Sequence, residues 1–168
     1  MKVCTDACLF GAWAASDPQV LNAPKILDIG AGTGLLSLLL AQANNNATIT
    51  AVEIEEAAAT EAASNFKLSP WTDQLNLMHD DIQNFSNHAN TVYDIIITNP
   101  PFYEGDLQSS NASKNLALHS TALPWEELAK AAGNLLKYTG SLFILVPTLR
   151  AYTFQKLAGQ YEMQLAEE

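Results

Sequence analysis

KILDIGAGTGLLSLLLAQA, residues 25–43, decides the fold. KILDIG (25–30) is apolar apart from its ends and Asp28 and reads as a buried strand, AGTG as a turn, and LLSLLLAQA (35–43) as a helix. Gly30, Gly32 and Gly34 fall on the strand-to-helix turn, where glycine permits positive φ and lets the backbone approach a ligand closely. The same alternation continues outward. TITAVEI (48–54), QLNLMH (74–79), YDIIIT (93–98) and SLFILVP (141–147) read as further strands. EEAAATEAASNFKL (55–68), the segment from Pro124 to Tyr138 before Gly140, and TFQKLAGQ (153–160) read as helices. Apolar strands separated by helices imply a doubly wound α/β domain, a mostly parallel sheet with helices on both faces. Ligands of such sheets sit beyond the carboxyl ends of the strands. Those ends here carry Asp28, Glu53, Asp80–Asp81 and Asn99, four polar positions on one edge.

The 168 residues, 48% hydrophobic and 15% charged, suffice for one domain over residues 1–168 and not for two comfortable ones. No run reaches the roughly 18 apolar residues that cross a bilayer, and MKVCTDACLF lacks the apolar core of a signal peptide. Two cysteines make no disulfide framework, so a cytoplasmic location is expected. Cys4 and Cys8 lie four apart with no third ligand near and read as small hydrophobes, so no metal is expected. His79, His88 and His119 are scattered loop or edge residues, and Trp13, Trp71 and Trp125 read as packing. Net charge is -10 with Arg150 the single arginine, which weighs against nucleic-acid binding by electrostatics alone. No membrane association and no stable protein partner are inferred.

The glycine spacing is G-x-G-x-G, not the G-x-G-x-x-G of dinucleotide sites. Glu53 closes the second strand about 20 residues on, where a carboxylate can accept ribose hydroxyls. Asp28 beside the turn suits a cationic ligand better than a pyrophosphate, although a nicotinamide site or a turn without ligand stays open. At these residues the chain resembles the class I S-adenosylmethionine-dependent methyltransferases, with (hydrophobic)-D-(hydrophobic)-G-x-G-x-G. The resemblance implies S-adenosyl-L-methionine as cofactor, its amino-acid end beside Asp28 and the turn of Gly30, Gly32 and Gly34, and its ribose on Glu53. In HDDIQNF it implies Asp81 at the adenine amino group and Ile82 against the ring; a plain helix cap at Asp81 is the competing reading.

ITNPPF, residues 97–102, ends a strand in two prolines, which fix φ and remove two donors. An exocyclic amine on a heteroaromatic ring is a poor nucleophile because its lone pair is delocalised. Two acceptors on its hydrogens, the Asn99 side chain and the Pro100 carbonyl, favour a tetrahedral nitrogen with its lone pair free. Pro101 stiffens the corner, and Phe102 offers a stacking face worth roughly 1–3 kcal/mol. Asn99, Pro100, Pro101 and Phe102 are therefore the candidate catalytic residues. The motif is similar to [DNS]-P-P-[YFW] of amino-methyltransferases acting on adenine N6, cytosine N4, guanine N2 or glutamine amides.

MKVCTDACLFGAWA, NFKLSPW, DDIQNF, NPPF and LHSTALPWEEL together resemble the bacterial tRNA1(Val) (adenine-N6)-methyltransferases over essentially the whole chain. The resemblance implies a tRNA substrate methylated just 3′ of the anticodon. It also implies an opening segment packed over the cofactor, with Lys2, Thr5 and Asp6 as pocket residues. Relatives of this kind carry residues before MKV and further strands, so the chain is expected to stop inside a sixth strand at GQYEMQLAEE. A glutamine N5-methyltransferase acting on a release factor, adenine methylation of another nucleic acid, and a non-catalytic nucleotide-binding module are the alternatives. The polar loop from Tyr103 to Leu116, with Lys114, is expected to order with substrate.

Overall fold

Five short runs pair side by side, and the central ones, buried along nearly all their length, need a helix layer on each face. The computed structural model describes residues 5–100 and 123–167. In it β1 (Lys25–Ile29), β2 (Thr48–Glu53), β3 (Leu75–His79), β4 (Tyr93–Thr98) and β5 (Leu136–Ile144) form one sheet in the order β3-β2-β1-β4-β5. All four pairings are parallel. From β1 the chain winds outward through β2 to β3, then returns to β4 on the other side of β1. The reversal of direction between β1 and β4 is where such sheets bind ligands.

Helices α1 (Thr5–Ser16), α2 (Pro18–Leu21), α3 (Leu35–Ala43), α4 (Glu56–Leu68), α5 (Ile82–His88), α6 (Trp125–Leu135) and α7 (Thr148–Gly159) complete the described elements. Alternation along the central strands splits the core in two. Ile26, Ile49, Ile95 and Ile97 pack with Phe10, Leu36, Leu40 and Phe66 of α1, α3 and α4. Leu27, Ile29, Val52 and Ile96 pack with Ile82, Trp125, Leu128 and Phe154 of α5, α6 and α7. Trp125 meets Phe154 edge-on, and the half-exposed Trp13 lies against Phe10 and Phe143.

Local chemistry sets the boundaries. Asp17 caps α2 and Asp81 caps α5, each accepting from the backbone N–H two residues on at 2.7 Å. Gly34, with φ 83°, opens α3; a Cβ there would stand 2.3 Å from the Phe66 ring, so this glycine also lets α4 close on the turn. Gly11 does the same for α1, its missing Cβ making room for Leu39 and Leu36 of α3. Asn44, just beyond α3, donates to the Val20 and Ala23 carbonyls. α1 and α3 therefore run in the same direction, with the start of α1 at the glycine-turn end.

Several expectations are corrected at the C-terminal side. α6 ends at Leu135, not Tyr138, and β5 already starts at Leu136. Gly140 lies within β5, where a Cβ would stand 2.7 Å from the Asp94 carbonyl oxygen, and the register jumps there from Tyr93↔Leu136 to Ile95↔Ser141. It marks an irregularity in a strand, not a helix stop. β5 also stops at Ile144, three residues early, and α7 begins at Thr148 directly after Pro147, not at Thr153. No sixth strand forms among the described residues: after α7 the chain turns at Tyr161–Glu162 and is irregular to residue 167.

Replacing Gly34 by alanine combines a positive-φ penalty with overpacking against Phe66, an expected loss of about 2–4 kcal/mol. Urea unfolding of Gly34→Ala measures it, and a loss below about 1 kcal/mol would contradict the packing described.

Candidate active site

The turn between β1 and α3 has three glycines in the left-handed region, Gly30 at φ 68°, Gly32 at 57° and Gly34 at 83°. They have different duties. Gly34 is pressed against Phe66, whereas a Cβ on Gly30 would meet nothing within 4 Å, so that part of the turn faces open space. Gly30 and Ala31 donate to the Val52 carbonyl at 2.9 and 3.1 Å, tying the turn to β2.

Two carboxylates brace it from below. Glu53, 8% exposed at the end of β2, accepts from Gly32 N–H at 2.7 Å through Oε2 and from Glu55 N–H at 2.8 Å through Oε1. Asp28 is fully buried; its Oδ2 accepts from the Ser37 hydroxyl at 2.7 Å and the Ser37 N–H at 3.1 Å. Its other oxygen, Oδ1, is buried with no hydrogen-bond partner among the described residues. Burial pushes the Asp28 carboxyl up to about 6; the two Ser37 bonds oppose that and nearby Glu53 adds to it. A buried carboxylate with a spare oxygen beside an open glycine turn is suited to a cation.

Asn99 follows β4 directly, and β4 lies beside β1 with Thr98 opposite Ile29. That register brings Asn99 and the glycine turn, each the first residue beyond its strand, to the same edge of the sheet. Thr98, 1% exposed, donates its hydroxyl to the Ile29 carbonyl at 2.9 Å and accepts from Leu145 N–H at 3.2 Å. Asn99 is half-buried and Pro100 buried. The glycine turn, Glu53 and Asn99 thus share one edge of the sheet, on adjacent strands.

The methyltransferase small domain family matches residues 16–164. The tRNA1(Val) (adenine(37)-N6)-methyltransferase of Dyadobacter fermentans is 47% identical over 169 residues, covering 100% of this chain and 68% of the relative. The chain belongs to this family. The protein of the same name from Flavobacterium psychrophilum is 42% identical, with 97% of this chain and 68% of the relative covered. An O-methyltransferase family protein from Burkholderia thailandensis shares the fold, with TM-score 0.73 at 11% identity, covering 96% of this chain and 52% of that one.

The remaining family-implied positions fall as follows. Asp81 caps α5, accepting from the Gln83 N–H, while Asp80 accepts from the Asp81 N–H at 2.9 Å and from the Asn84 amide. Asp80 N–H donates to the Glu53 carbonyl at 3.1 Å, so this pair sits at the same edge. Ile82 is 6% exposed and packs in the core with Ile29 and Val52. Thr5 and Asp6 are exposed in the first turn of α1. Lys2, Cys4, Pro101, Phe102, the 103–116 loop with Lys114, and His119 lie outside the described residues. His79 pairs with the Ile54 carbonyl and His88 with that of Asn84. Cys8 is half-buried and unbridged. Among the described residues no group of three or more His, Cys, Asp or Glu is arranged to hold a metal, and no helix is long and apolar enough to cross a membrane.

Sequence reading missed Ser37, which orients Asp28, and Thr98, which ties β4 to β1. A serine buried in an otherwise apolar first helix turn was a usable signal for the first; nothing local marks the second.

The raised Asp28 carboxyl has a sign that can be tested. A carboxyl moved from 3.8 to about 6 favours the fold most below its ordinary value, and that contribution is lost as pH rises through 6. Without cofactor, the wild-type melting temperature should fall relative to that of Asp28→Asn between about pH 4 and 6.5, and the difference should level off above that. A difference constant across that range would contradict the burial described.

Proposed function

We propose that the chain transfers a methyl group from S-adenosyl-L-methionine to the exocyclic N6 amine of an adenine in tRNA, next to the anticodon. The observation that carries this reading is the Ile29↔Thr98 register, which brings the glycine turn after β1 and Asn99 after β4 to one edge of the sheet. Family membership supports the chemistry, since relatives between 38 and 47% identical bear the name tRNA1(Val) (adenine(37)-N6)-methyltransferase.

The residues present fit the cofactor. Asp28 Oδ1 has no partner among the described residues and can take the ligand's ammonium group, whose positive charge a buried carboxylate needs beside it. Gly30 leaves room for close approach. Glu53 is held by two backbone N–H groups in a fixed pose from which it can accept ribose hydroxyls. Asp81 and Ile82 are assigned to the adenine end, and Lys2, Thr5 and Asp6 to the cover over the pocket. When bound, the cofactor supplies a methyl group made electrophilic by the attached sulfonium.

The protein's part is position and electrostatics. Asn99 and the Pro100 carbonyl accept from the two amine hydrogens and turn the nitrogen lone pair toward the methyl group; Pro101 holds the corner and Phe102 stacks on the base. An amine so held would be aimed at the bound cofactor's methyl group, and its surplus proton would pass to solvent, so no general base has to act first. With a net charge of -10 the overall field opposes RNA at long range, which assigns recognition to local contacts. We place the reaction in the cytoplasm, where tRNA resides.

Labelled cofactor offered with total tRNA and with a peptide-release factor, followed by nucleoside analysis, tests the reading. N6-methyladenosine in tRNA is the expected product. Label on the release factor alone would transfer the same amine chemistry to a glutamine and overturn the substrate. In Asn99→Ala, turnover should fall roughly 100-fold or more while cofactor affinity stays within about 3-fold. Unchanged turnover would remove Asn99 from the mechanism.

A further inference from the structure

The prolines that make the Asn99 corner rigid also leave it short of main-chain donors. Pro100 and Pro101 have no N–H, so β4 cannot extend its hydrogen-bonded ladder through them. The residue that must sit most accurately therefore lies where the sheet has least to hold it. Thr98 occupies the last position before it. Its hydroxyl donates to the carbonyl of Ile29, the last residue of β1, at 2.9 Å, and its own carbonyl accepts from Leu145 N–H at 3.2 Å. At 1% exposure this hydroxyl is shielded from water, and its β-branched side chain has little rotational freedom.

We propose that Thr98 is a positioning residue for methyl transfer: its buried hydroxyl locks the end of β4 to the end of β1 and so fixes the Asn99 carboxamide relative to a ligand over the Gly30 turn. The inference rests on the reading of Asn99 and Gly30 given above. Ile29 is joined directly to Gly30 as Thr98 is to Asn99, so this bond adds a side-chain tie between the two halves of the site to the β1–β4 ladder. Valine keeps the shape of threonine and loses the donor, leaving the Ile29 carbonyl without that partner and the two strand ends held by the ladder alone. Serine keeps the donor. A threonine serving stability alone would lower the melting temperature and leave the turnover of folded protein untouched.

Wild type, Thr98→Val, Thr98→Ser and Thr98→Ala are compared for turnover on total tRNA, for S-adenosyl-L-methionine affinity by calorimetry, and for melting temperature. In Thr98→Val turnover should fall about tenfold or more with cofactor affinity within about 2-fold, and Thr98→Ser should recover to within about 3-fold of wild type. If valine does not fold, alanine against serine is read by the same criteria. Three results overturn the proposal: full turnover without the hydroxyl, serine failing as badly as valine, or cofactor affinity falling in step with turnover. A wild type that methylates no adenine overturns the functional reading and this inference with it, whereas a methylating wild type with an indifferent Thr98→Val removes only the inference.

Discussion

A turn built of glycine has almost no side chains with which to hold itself, yet the turn after β1 must keep one shape for anything to bind over it. Glu53 supplies the missing support from the neighbouring strand, one oxygen on the Gly32 N–H and the other on its own helix start at Glu55. Charge-assisted bonds of this kind, made out of reach of water, are the strong ones. Asp28 does the corresponding work at the helix side by gripping Ser37 in the first turn of α3. Two acids that a sequence reading assigns to ligand are thus already bonded to the protein on at least one oxygen. Pre-organisation and ligand binding use the same groups.

The parallel topology turns this local device into a site. Because the strand order reverses between β1 and β4, the carboxyl ends of those two strands meet at the point where such sheets bind ligands. β1 contributes the glycine turn and β4 contributes Asn99, with Ile29 and Thr98 in register immediately beneath. Chemistry on a sluggish amine needs its two reactants placed, and a sheet places neighbouring strand ends to within a strand spacing without any loop having to close.

Much of this was legible before the structure. β4 runs over residues 93–98 and α3 over residues 35–43 as the sequence indicates, since uninterrupted β-branched residues and a Leu/Ala run leave little choice. The boundary between α6 and β5 was not legible. Leu136, Lys137 and Tyr138 prolong the helical pattern, and Gly140 resembles a helix stop; tertiary contact decides instead, through the approach of the Asp94 carbonyl to Gly140 and the Lys137–Asp94 ion pair at 2.5 Å. At the site, the glycines and acids announced themselves by spacing. Thr98 did not, because its hydroxyl's partner in a parallel sheet is fixed by register, which no local stretch of residues carries. Asp81 shows the converse: its capping bond to Gln83 is readable from sequence, and a cap accounts for that oxygen without any ligand.

The account stands on the glycine turn of β1 and the Asn99 corner of β4 serving one reaction. A crystal structure of the chain with S-adenosyl-L-homocysteine, the product left after methyl transfer, tests it most directly. The account predicts the sulfur over Gly30 on the side facing Asn99, within about two strand spacings of the Asn99 amide, roughly 10 Å, and the ligand ammonium on Asp28. A ligand seated elsewhere, or one whose sulfur points away from β4 toward β3, would contradict it.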